Sequence, residues 1–491
     1  MIMKNTEFLR KAENLKPELI RTCVELKGED RLLNAGDEAV YDFGNHYAGY
    51  LQIAFDTAGH HPDAPLLFSV QFAEIAQELD HDPESYHGWI SGSWLQEERI
   101  HMDVLPGVCR LERRYAFRYV RIRIIAASDN YSVRIDGLKA EGVSSADESK
   151  LKEVKMPEKD RELDRIACRT LHNCMQDVFE DGPKRDRRLW LGDLRLEALT
   201  NYETYRNYDL VKRCLYLFAG STLENGRLAS NIFTEPEPEC DFQTMFDYTL
   251  FYISTLWDYY CRTHERQTLK DLEPVCMKQY ELLQDCFDEK GLLDTEKAGR
   301  IFIDWNLQLD KQAAGQAVWI YAVRDLIQIE NELGKYTPDL EKDLKRKEKA
   351  AASLYDREKG LFVSGKNRQI SWASQIWMIL AGVVTAEGGR LILENAEKEP
   401  GIRHICSPYM QHHYIQALLD IGMEKEAYEK MHRYWGGMIG QGTDTFWELY
   451  NPQDPLESPY GGIVIHSFCH AWSCTPAYFL RKYFCSERQM Q

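Results

Sequence analysis

The chain has 491 residues, of which 44% are hydrophobic and 28% charged, which is typical of a globular protein and too apolar for intrinsic disorder. This length predicts about two or three domains. The 60 basic and 78 acidic side chains leave a net charge of −18. An excess of acidic groups argues against a nucleic-acid partner and against docking on anionic lipid, so we expect neither partner.

Two further features concern the compartment. The first twenty residues alternate charged and apolar side chains and lack the apolar core of a signal peptide, and no run of about 18 apolar residues predicts a membrane span. The thirteen cysteines are scattered, with no CxxC pair. Free thiols are typical of a reducing compartment, so we expect a cytoplasmic protein.

The amino-terminal part predicts a short lead-in and then a β-domain. Residues 1–30 form the lead-in, and the pattern of residues 31–145 has period two. Val120, Ile122 and Ile124 alternate with polar or aromatic neighbours, as in a half-buried strand. Several such runs separated by Gly, Pro and Asp-Gly turns predict a small β-sandwich.

The remainder of the chain predicts helices. Residues 146–160 are polar and nearly free of aromatic side chains, and we interpret them as a linker. From 161 to 485 the apolar period is helical, and this length accommodates about a dozen helices. The predicted fold class is therefore mainly α, with a small β-sandwich domain in front of a large helical domain.

The first candidate site is the segment of residues 180–193, EDGPKRDRRLWLGD. Gly-Pro interrupts a helical region, so the first half of the segment must be a loop. The segment combines three aspartates with Trp190, and the whole chain contains eleven tryptophans. Aromatic rings stack on the flat C–H faces of sugars, so a carboxylate cluster beside a tryptophan suggests carbohydrate binding, although a polar turn with local salt bridges is equally compatible with this segment alone.

The second candidate site lies near the carboxyl terminus. Residues 434–448, YWGGMIGQGTDTFWE, contain four glycines in seven positions, which suit a close backbone approach to a ligand. Glu448 follows Trp447, and residues 302–305 and 465–472 add further acidic, aromatic and histidine side chains. Two separated acidic groups among tryptophans are what glycosidic bond cleavage by paired carboxylates requires.

These motifs resemble the α-L-rhamnosidases of glycoside hydrolase family 78. The family's Asp-Cys-Pro-x-Arg-Glu and Gly-Trp-x-Gly-Asp runs correspond to residues 181–186 and 189–193 at matching spacing, and its Tyr-Trp-Gly-Gly-Met and Thr-x-Trp-Glu block corresponds to residues 434–448. Residues 467–470 resemble its Ser-x-Asn-His run, and VYDFGNHYAGY and FRYVRI resemble its β-domain. Two positions depart from the pattern, because Asp186 stands where the family usually has Glu and Gly182 where it has Cys.

The resemblance implies an (α/α)6 barrel of six helical hairpins with the active site at one end. It implies exo-acting hydrolysis of terminal α-L-rhamnose with inversion, without a metal or an organic cofactor. Asp186 corresponds to the general acid and Glu448 to the general base. The positions that correspond to sugar contacts, or lie beside them, are Asp181, Arg185, Trp190, Asp193, Asp304, Trp305, Trp447 and His470.

Other interpretations remain open at this stage. The chain could be another glycan-active (α/α)6 hydrolase, for a different deoxy-sugar or a uronyl substrate, with Arg185 and its basic neighbours as anion contacts. It could also be a non-catalytic sugar-binding protein. Residues 404–413 contain four possible zinc ligands, but their spacing is less regular than that of zinc sites, so we expect no metal. The expected partner is a carbohydrate, and the sequence leaves the oligomeric state open.

Overall fold

The computed structural model of the protein describes residues 2–485 and begins with a sheet-rich region. One short helix, α1 (Thr6–Glu13), lies near its start. The strands of this region are β1 (Ile2–Lys4), β2 (Ile20–Lys27), β3 (Glu38–Gly59), β4 (Leu66–Ala73), β5 (Glu97–Met102), β6 (Gly107–Arg110), β7 (Tyr115–Ala126) and β8 (Tyr131–Ser144).

Seven of these strands form an antiparallel sheet in the order β2-β8-β3-β7-β4-β5, with β6 also paired to β3. The 22-residue strand β3 pairs with β7 along its first half and with β6 and β8 along its second half. It therefore belongs to both halves of the sheet, which together enclose one apolar core. Phe55 of β3 and Phe68 of β4, on strands that are not neighbours, meet in that core with ring centroids 4.9 Å apart.

The rest of the described chain is mainly helical. Its helices are α2 (Glu158–Cys174), α3 (Leu191–Glu203), α4 (Tyr208–Gly220), α5 (Phe246–Thr263), α6 (Arg266–Leu282), α7 (Thr295–Ala298), α8 (Gln312–Glu332), α9 (Pro338–Ala352), α10 (Trp372–Leu380), α11 (Ala386–Lys398), α12 (Pro408–Asp420), α13 (Glu424–Ile439) and α14 (Pro476–Phe479). Short strands lie between them: β9 (Leu189–Trp190), β10 (Ser221–Leu223), β11 (Asn231–Phe233), β12 (Glu239–Cys240), β13 (Tyr355–Asp356) and β14 (Leu361–Phe362).

The helices pack in a consistent order. Helix α3 packs on α5, α5 on α8, α8 on α10 and α10 on α12, and α14 packs back on α3. Helices α4, α6, α9, α11 and α13 each pack on a member of this series. The helices of this series are buried nearly all round, as α8 illustrates with Trp319 and Val323 fully buried, because they have neighbours on several sides. No helix among residues 2–485 is both long enough and apolar enough to cross a membrane.

The structure corrects the predicted boundaries. The predicted lead-in of residues 1–30 is not separate, because β2 pairs with β8 in the sheet, β1 pairs with β10, and α1 packs on α4. The sequence does not predict β2, because this strand lies at the sheet edge and its side chains are exposed or only half-buried, so they need not alternate between apolar and polar. The predicted linker also ends early, since helix α2 begins at Glu158.

Candidate active site

A cavity of about 360 Å³ opens where the loops of the helical region meet the sheet-rich region. This volume suits a small ligand. Aromatic and acidic side chains dominate its wall, which consists of Trp89, Ile90, Ser91, Trp94, Asp181, Arg185, Asp186, Arg188, Trp190, Asp193, Gln243, Met245, Tyr248, Arg300, Phe302, Trp305, Glu448, Tyr460, His470 and Trp472.

The loop that precedes β9 is folded around a buried aspartate. Asp181 is 4% exposed, and its carboxylate accepts hydrogen bonds from the backbone N–H of Asp186 (3.0 Å) and of Arg188 (3.1 Å). Gly182 is required beside it, because a Cβ there would lie 2.6 Å from the carbonyl oxygen of Arg185. The loop thereby brings Asp181, Arg185 and Asp186 to one side of the cavity.

Arg185 connects the two carboxyl groups expected to act in catalysis. Its Nη2 lies 2.7 Å from Glu448 Oε2, and its Nη1 lies 3.7 Å from Asp186 Oδ1. The guanidinium also donates from Nε to the carbonyl oxygen of Ile465 (2.6 Å) and stacks 3.8 Å from the ring centroid of Tyr460. The Tyr460 hydroxyl donates to Glu448 Oε1. Arg185 is therefore held on several sides and cannot easily leave either carboxylate.

The surroundings of the buried acids shift their pKa values in opposite directions. Burial alone would raise the pKa of Glu448, but the charge of Arg185, with help from His470 and the Tyr460 hydroxyl, outweighs it and the pKa is lowered. Burial and the nearby charge of Asp186 instead raise the pKa of Asp181 to about 8. Burial also raises the pKa of Asp193. Glu448 is thus kept ionised, whereas burial makes the carboxyls of Asp181 and Asp193 harder to ionise.

His470 completes the floor of the cavity. Its Nε2 lies 3.3 Å from Asp193 Oδ1, in the first turn of α3, and its Nδ1 lies 4.0 Å from Glu448 Oε2. Burial would lower the pKa of His470, but the charges of Glu448 and Asp193 outweigh it and the pKa is raised. His470 lies between these two carboxylates, is more readily protonated than a free histidine, and can donate a hydrogen bond to a ligand.

A buried lysine anchors the same loop to the sheet-rich region. Lys184 Nζ lies 2.6 Å from Glu78 Oε2 and 3.1 Å from Glu74 Oε2, and it donates to the carbonyl oxygen of His466 (2.8 Å). Glu74 also accepts from the backbone N–H of Phe468 (2.7 Å). Burial and the charge of Glu74 raise the pKa of Glu78 to about 7. Glu74 and Glu78, which follow β4, thus hold the loop that carries Asp186 and the loop that carries His470.

Comparisons with known proteins identify the family of the chain. Residues 10–142 match the model of the glycosyl hydrolase family 78 alpha-rhamnosidase N-terminal domain, and residues 160–484 match that of the bacterial alpha-L-rhamnosidase 6 hairpin glycosidase domain. The chain belongs to glycosyl hydrolase family 78. It is accordingly a glycoside hydrolase, and the resemblance noted in the sequence is confirmed.

Solved structures include similar rhamnosidases. A rhamnosidase from Klebsiella oxytoca with rhamnose bound is 40% identical, with a TM-score of 0.94 over 98% of this chain and 99% of that chain. A family 78 rhamnosidase of Bacillus sp. GL1 is 22% identical, with a TM-score of 0.77 over 92% of this chain and 47% of that chain, and shares the fold. The Streptomyces avermitilis α-L-rhamnosidase complexed with L-rhamnose likewise shares the fold, at 17% identity and a TM-score of 0.67 over 95% and 44% of the two chains. The comparison with curated proteins gives no match.

Most of the site residues expected from the family 78 resemblance meet in the cavity. The structure brings together Asp181, Arg185, Asp186, Trp190, Asp193, Trp305, Glu448 and His470. Trp305 lies two residues after Ile303. The φ of Ile303 is 55°, a backbone conformation that β-branched residues rarely adopt. The Asp247 carboxylate accepts hydrogen bonds from the backbone N–H of Phe302 (2.9 Å) and Ile303 (2.8 Å) and so holds this unusual turn.

Asp304 does not line the cavity, contrary to the expectation from the sequence. It is 2% exposed, and its carboxylate accepts from the backbone N–H groups of Trp305 (2.9 Å), Cys406 (2.8 Å) and Ser407 (3.1 Å) and from the Ser407 hydroxyl (2.5 Å). These donors occupy both oxygens. Asp304 therefore ties the loop that carries Trp305 to the start of α12, where Ser407 also caps the helix.

Trp447 does not reach the cavity either. Its side chain is fully buried, its Nε1 donates to Thr443 Oγ1 (3.0 Å), and its ring lies edge-on to Phe468 with centroids 4.9 Å apart. It packs in the core behind Glu448, so its role is structural.

The sheet-rich region contributes to the cavity, which the sequence did not predict. Trp89, Ile90, Ser91 and Trp94 come from the connection between β4 and β5. The available signal was two tryptophans within six residues of a segment, WISGSW, that has neither a strand nor a helix period. Tyr460, which contacts both Arg185 and Glu448, is not predicted either, because no motif marks it.

His412 and His413, two of the residues considered as zinc ligands, lie outside the cavity, on α12. His413 donates from Nδ1 to the carbonyl oxygen of Tyr409 (2.8 Å) and lies 4.4 Å from the Trp377 ring centroid. Burial lowers the pKa of His413 to about 3. Within residues 2–485 no group of three or more His, Cys, Asp or Glu side chains is placed to hold a metal ion.

Proposed function

We propose that this family 78 chain is an exo-acting α-L-rhamnosidase that hydrolyses terminal rhamnosides with inversion. The observation that carries the proposal is the bridge that Arg185 forms between Asp186 and Glu448 in the cavity wall. An inverting mechanism needs a distance of roughly 6.5–9.5 Å between its two carboxyl groups, which leaves room for the attacking water. A guanidinium that contacts both carboxyls is compatible with such a distance. The rhamnose bound to the 40% identical Klebsiella oxytoca protein supports the choice of sugar.

In this mechanism Glu448 is the general base and Asp186 the general acid. The lowered pKa of Glu448 keeps it ionised and able to take a proton from the attacking water. Asp186 is the more open of the two, with a side chain 20% exposed against 3% for Glu448. It can therefore reach a glycosidic oxygen whose leaving group extends towards solvent. The reaction needs only water and these two carboxyls.

The sugar is proposed to bind at the floor of the cavity. Asp181, Asp193 and His470, each at most 4% exposed, would hydrogen-bond its hydroxyls, and Trp190 and Trp305 would wall its ring. Among residues 2–485 no group accepts a hydrogen bond from the buried Trp305 Nε1, which suits a sugar hydroxyl as its acceptor. A floor closed in this way admits only a chain terminus, and exo action follows.

We also propose the finer architecture and the location. The successive packing of α3, α5, α8, α10 and α12, with α14 packed on α3, supports an (α/α)6 barrel over residues 161–485. The core shared by the two halves of the sheet supports a β-sandwich domain before it. The thirteen cysteines are all free thiols, which supports a reducing compartment, the cytoplasm. There the enzyme would act on glycosides or oligosaccharides rather than on polymers.

The test is hydrolysis of 4-nitrophenyl α-L-rhamnopyranoside beside a panel of aryl glycosides of other deoxy-sugars and uronic acids. We expect turnover of the rhamnoside above the others, with proton NMR of the first released sugar showing the inverted anomer. Preference for another sugar would replace the substrate assignment, and a retained anomer would contradict the roles of Asp186 and Glu448. Calorimetric binding of rhamnose without any turnover would instead support a sugar-binding protein.

A further inference from the structure

The connection between β4 and β5 reaches from the sheet-rich region to the mouth of the cavity. Its residues Trp89 and Trp94 line the cavity, together with Ile90 and Ser91. Trp89 is 68% exposed, which is unusual for the largest apolar side chain. An exposed tryptophan at the entrance of the cavity is well placed to contact a substrate.

The connection is firmly attached to the opposite wall. The Trp89 indole donates from Nε1 to the carbonyl oxygen of Pro459 (3.0 Å), and the Tyr86 hydroxyl donates to the carbonyl oxygen of Tyr460 (3.0 Å). The Trp89 and Tyr460 rings lie 5.4 Å apart. A Cβ on Gly88 would lie 2.0 Å from the Tyr460 carbonyl oxygen, so the two segments are in close backbone contact. The Trp89 ring is therefore held in place although most of it is open to solvent.

The position of this connection relative to the proposed catalytic groups indicates which part of the substrate it contacts. The groups proposed to bind the terminal sugar are almost fully buried, whereas Asp186, the proposed acid, is 20% exposed. Arg187, the next residue, places its guanidinium 5.6 Å from the Trp94 ring centroid. The general acid protonates the leaving-group oxygen, so the leaving group must lie on the side of Asp186, which is also the side of Trp94.

We propose that Trp89 and Trp94 form an aromatic subsite for the leaving group, which takes a flat ring, either an aryl aglycone or the face of a second sugar. The proposal rests on the proposed function, because it uses the assignment of Asp186 as the acid. Aromatic stacking is attractive beyond the area it buries and corresponds to about a tenfold preference for each ring. The subsite makes the sheet-rich region a determinant of aglycone specificity.

The experiment compares Trp89→Ala and Trp94→Ala with the wild-type protein on three rhamnosides. Their leaving groups are methanol, 4-nitrophenol and glucose, and the measured quantity is the ratio of mutant to wild-type kcat/KM for each. We expect the ratio to fall about tenfold further on the aryl rhamnoside or the disaccharide than on the methyl rhamnoside, mainly through KM. A loss on only one of the two ring substrates identifies which ring the subsite takes. Tyr336→Ala, which removes an 87% exposed aromatic residue outside the cavity, is the matched control and should leave all three ratios at one.

Equal ratios on all three substrates would overturn the subsite, whether every ratio falls or none does. Thermal unfolding separates a folding defect from a binding effect, since Trp89 is largely exposed and its removal should leave the midpoint nearly unchanged. Calorimetric titration of Glu448→Gln with methyl and 4-nitrophenyl glycosides of the same panel of sugars tests the subsite by binding, since this variant should cleave them far more slowly than the wild-type protein. If the wild-type protein cleaves no rhamnoside, the proposed function fails, but an aryl preference in binding that Trp89→Ala removes would still support the subsite.

Discussion

Arg185 donates to Glu448 over 2.7 Å inside a cavity wall where both side chains are at most 3% exposed. A buried carboxylate without such a partner would take up a proton and lose its ability to act as a base. The same guanidinium lies near Asp186, so one residue both keeps the proposed base charged and spaces it from the proposed acid. The geometry of the catalytic pair therefore depends on a residue that itself need not react.

The first prediction concerns the hydroxyl that supports this charge. Tyr460→Phe removes a hydrogen bond to ionised Glu448 and keeps the ring on which Arg185 stacks. Because that hydrogen bond helps to lower the pKa of Glu448, its loss should raise the pKa. The acidic limb of kcat/KM against pH should move to higher pH. The Tyr434 hydroxyl donates to carbonyl oxygens instead, so the control variant Tyr434→Phe should leave the acidic limb at its wild-type pH. An unshifted acidic limb in Tyr460→Phe would show that the Tyr460 hydroxyl does not help to keep Glu448 ionised.

The second prediction concerns the proposed base. Glu448→Gln should lower kcat by about 10²–10⁴-fold, since general acid–base groups typically contribute that much. The loss should be the same for good and poor leaving groups, because water must be activated in every case. Steady-state kinetics on a series of aryl rhamnosides measures it. A variant with wild-type activity would show that another group activates the water.

The third prediction concerns the proposed acid. Asp186→Asn should lower kcat by about 10²–10⁴-fold for leaving groups that need protonation and much less for strongly acidic phenols. The slope of log kcat against leaving-group pKa should therefore become steeper than in the wild-type enzyme. Asp181→Asn is the informative comparison, because it removes a neighbouring acid that accepts the Asp186 N–H. A leaving-group dependence confined to Asp181→Asn would transfer the acid role to Asp181.

The fourth prediction separates two tryptophans that both belong to expected site positions. Trp305→Ala should raise the Kd for rhamnose and lower kcat/KM with a modest change in stability, because Trp305 lines the cavity. Trp447→Ala should instead lower the free energy of unfolding by about 3–5 kcal/mol, because Trp447 is fully buried. Denaturant unfolding and rhamnose calorimetry on both variants test this pair. The reverse pattern would contradict the placement of both residues.

The fifth prediction concerns the buried lysine between the two regions. Lys184→Met leaves Glu74 and Glu78 without their cation, and breaking a buried pair in this way costs about 3–5 kcal/mol. The unfolding midpoint should fall, and activity should fall with it because the loop that carries Asp186 loses its anchor. Lys425→Met breaks a pair whose side chains are 84% and 55% exposed, and it should change stability by less than about 1 kcal/mol. Equal stability of the two variants would show that Lys184 is not an anchor.

The residue chemistry and the repeating elements are encoded locally in the chain and could be predicted from it. The alternation of Val120, Ile122 and Ile124 predicts a strand, and all three are fully buried in β7. The motifs around Asp181 and Glu448 predict a carboxylate site, and the structure brings both to one cavity. Periodicity and local motifs suffice here because a strand or a short loop is encoded by neighbours in the chain.

Which side of a loop faces the cavity, and which segments meet there, depends on contacts between distant parts of the chain. Glu448 and Trp305 reach the cavity while their neighbours Trp447 and Asp304 do not, because those neighbours are held by Thr443 and by the start of α12. Trp89 and Trp94 reach it from a different region of the chain. Loop backbones have no repeating period, and the contacts that orient their side chains come from residues distant in sequence, so no local pattern could place them.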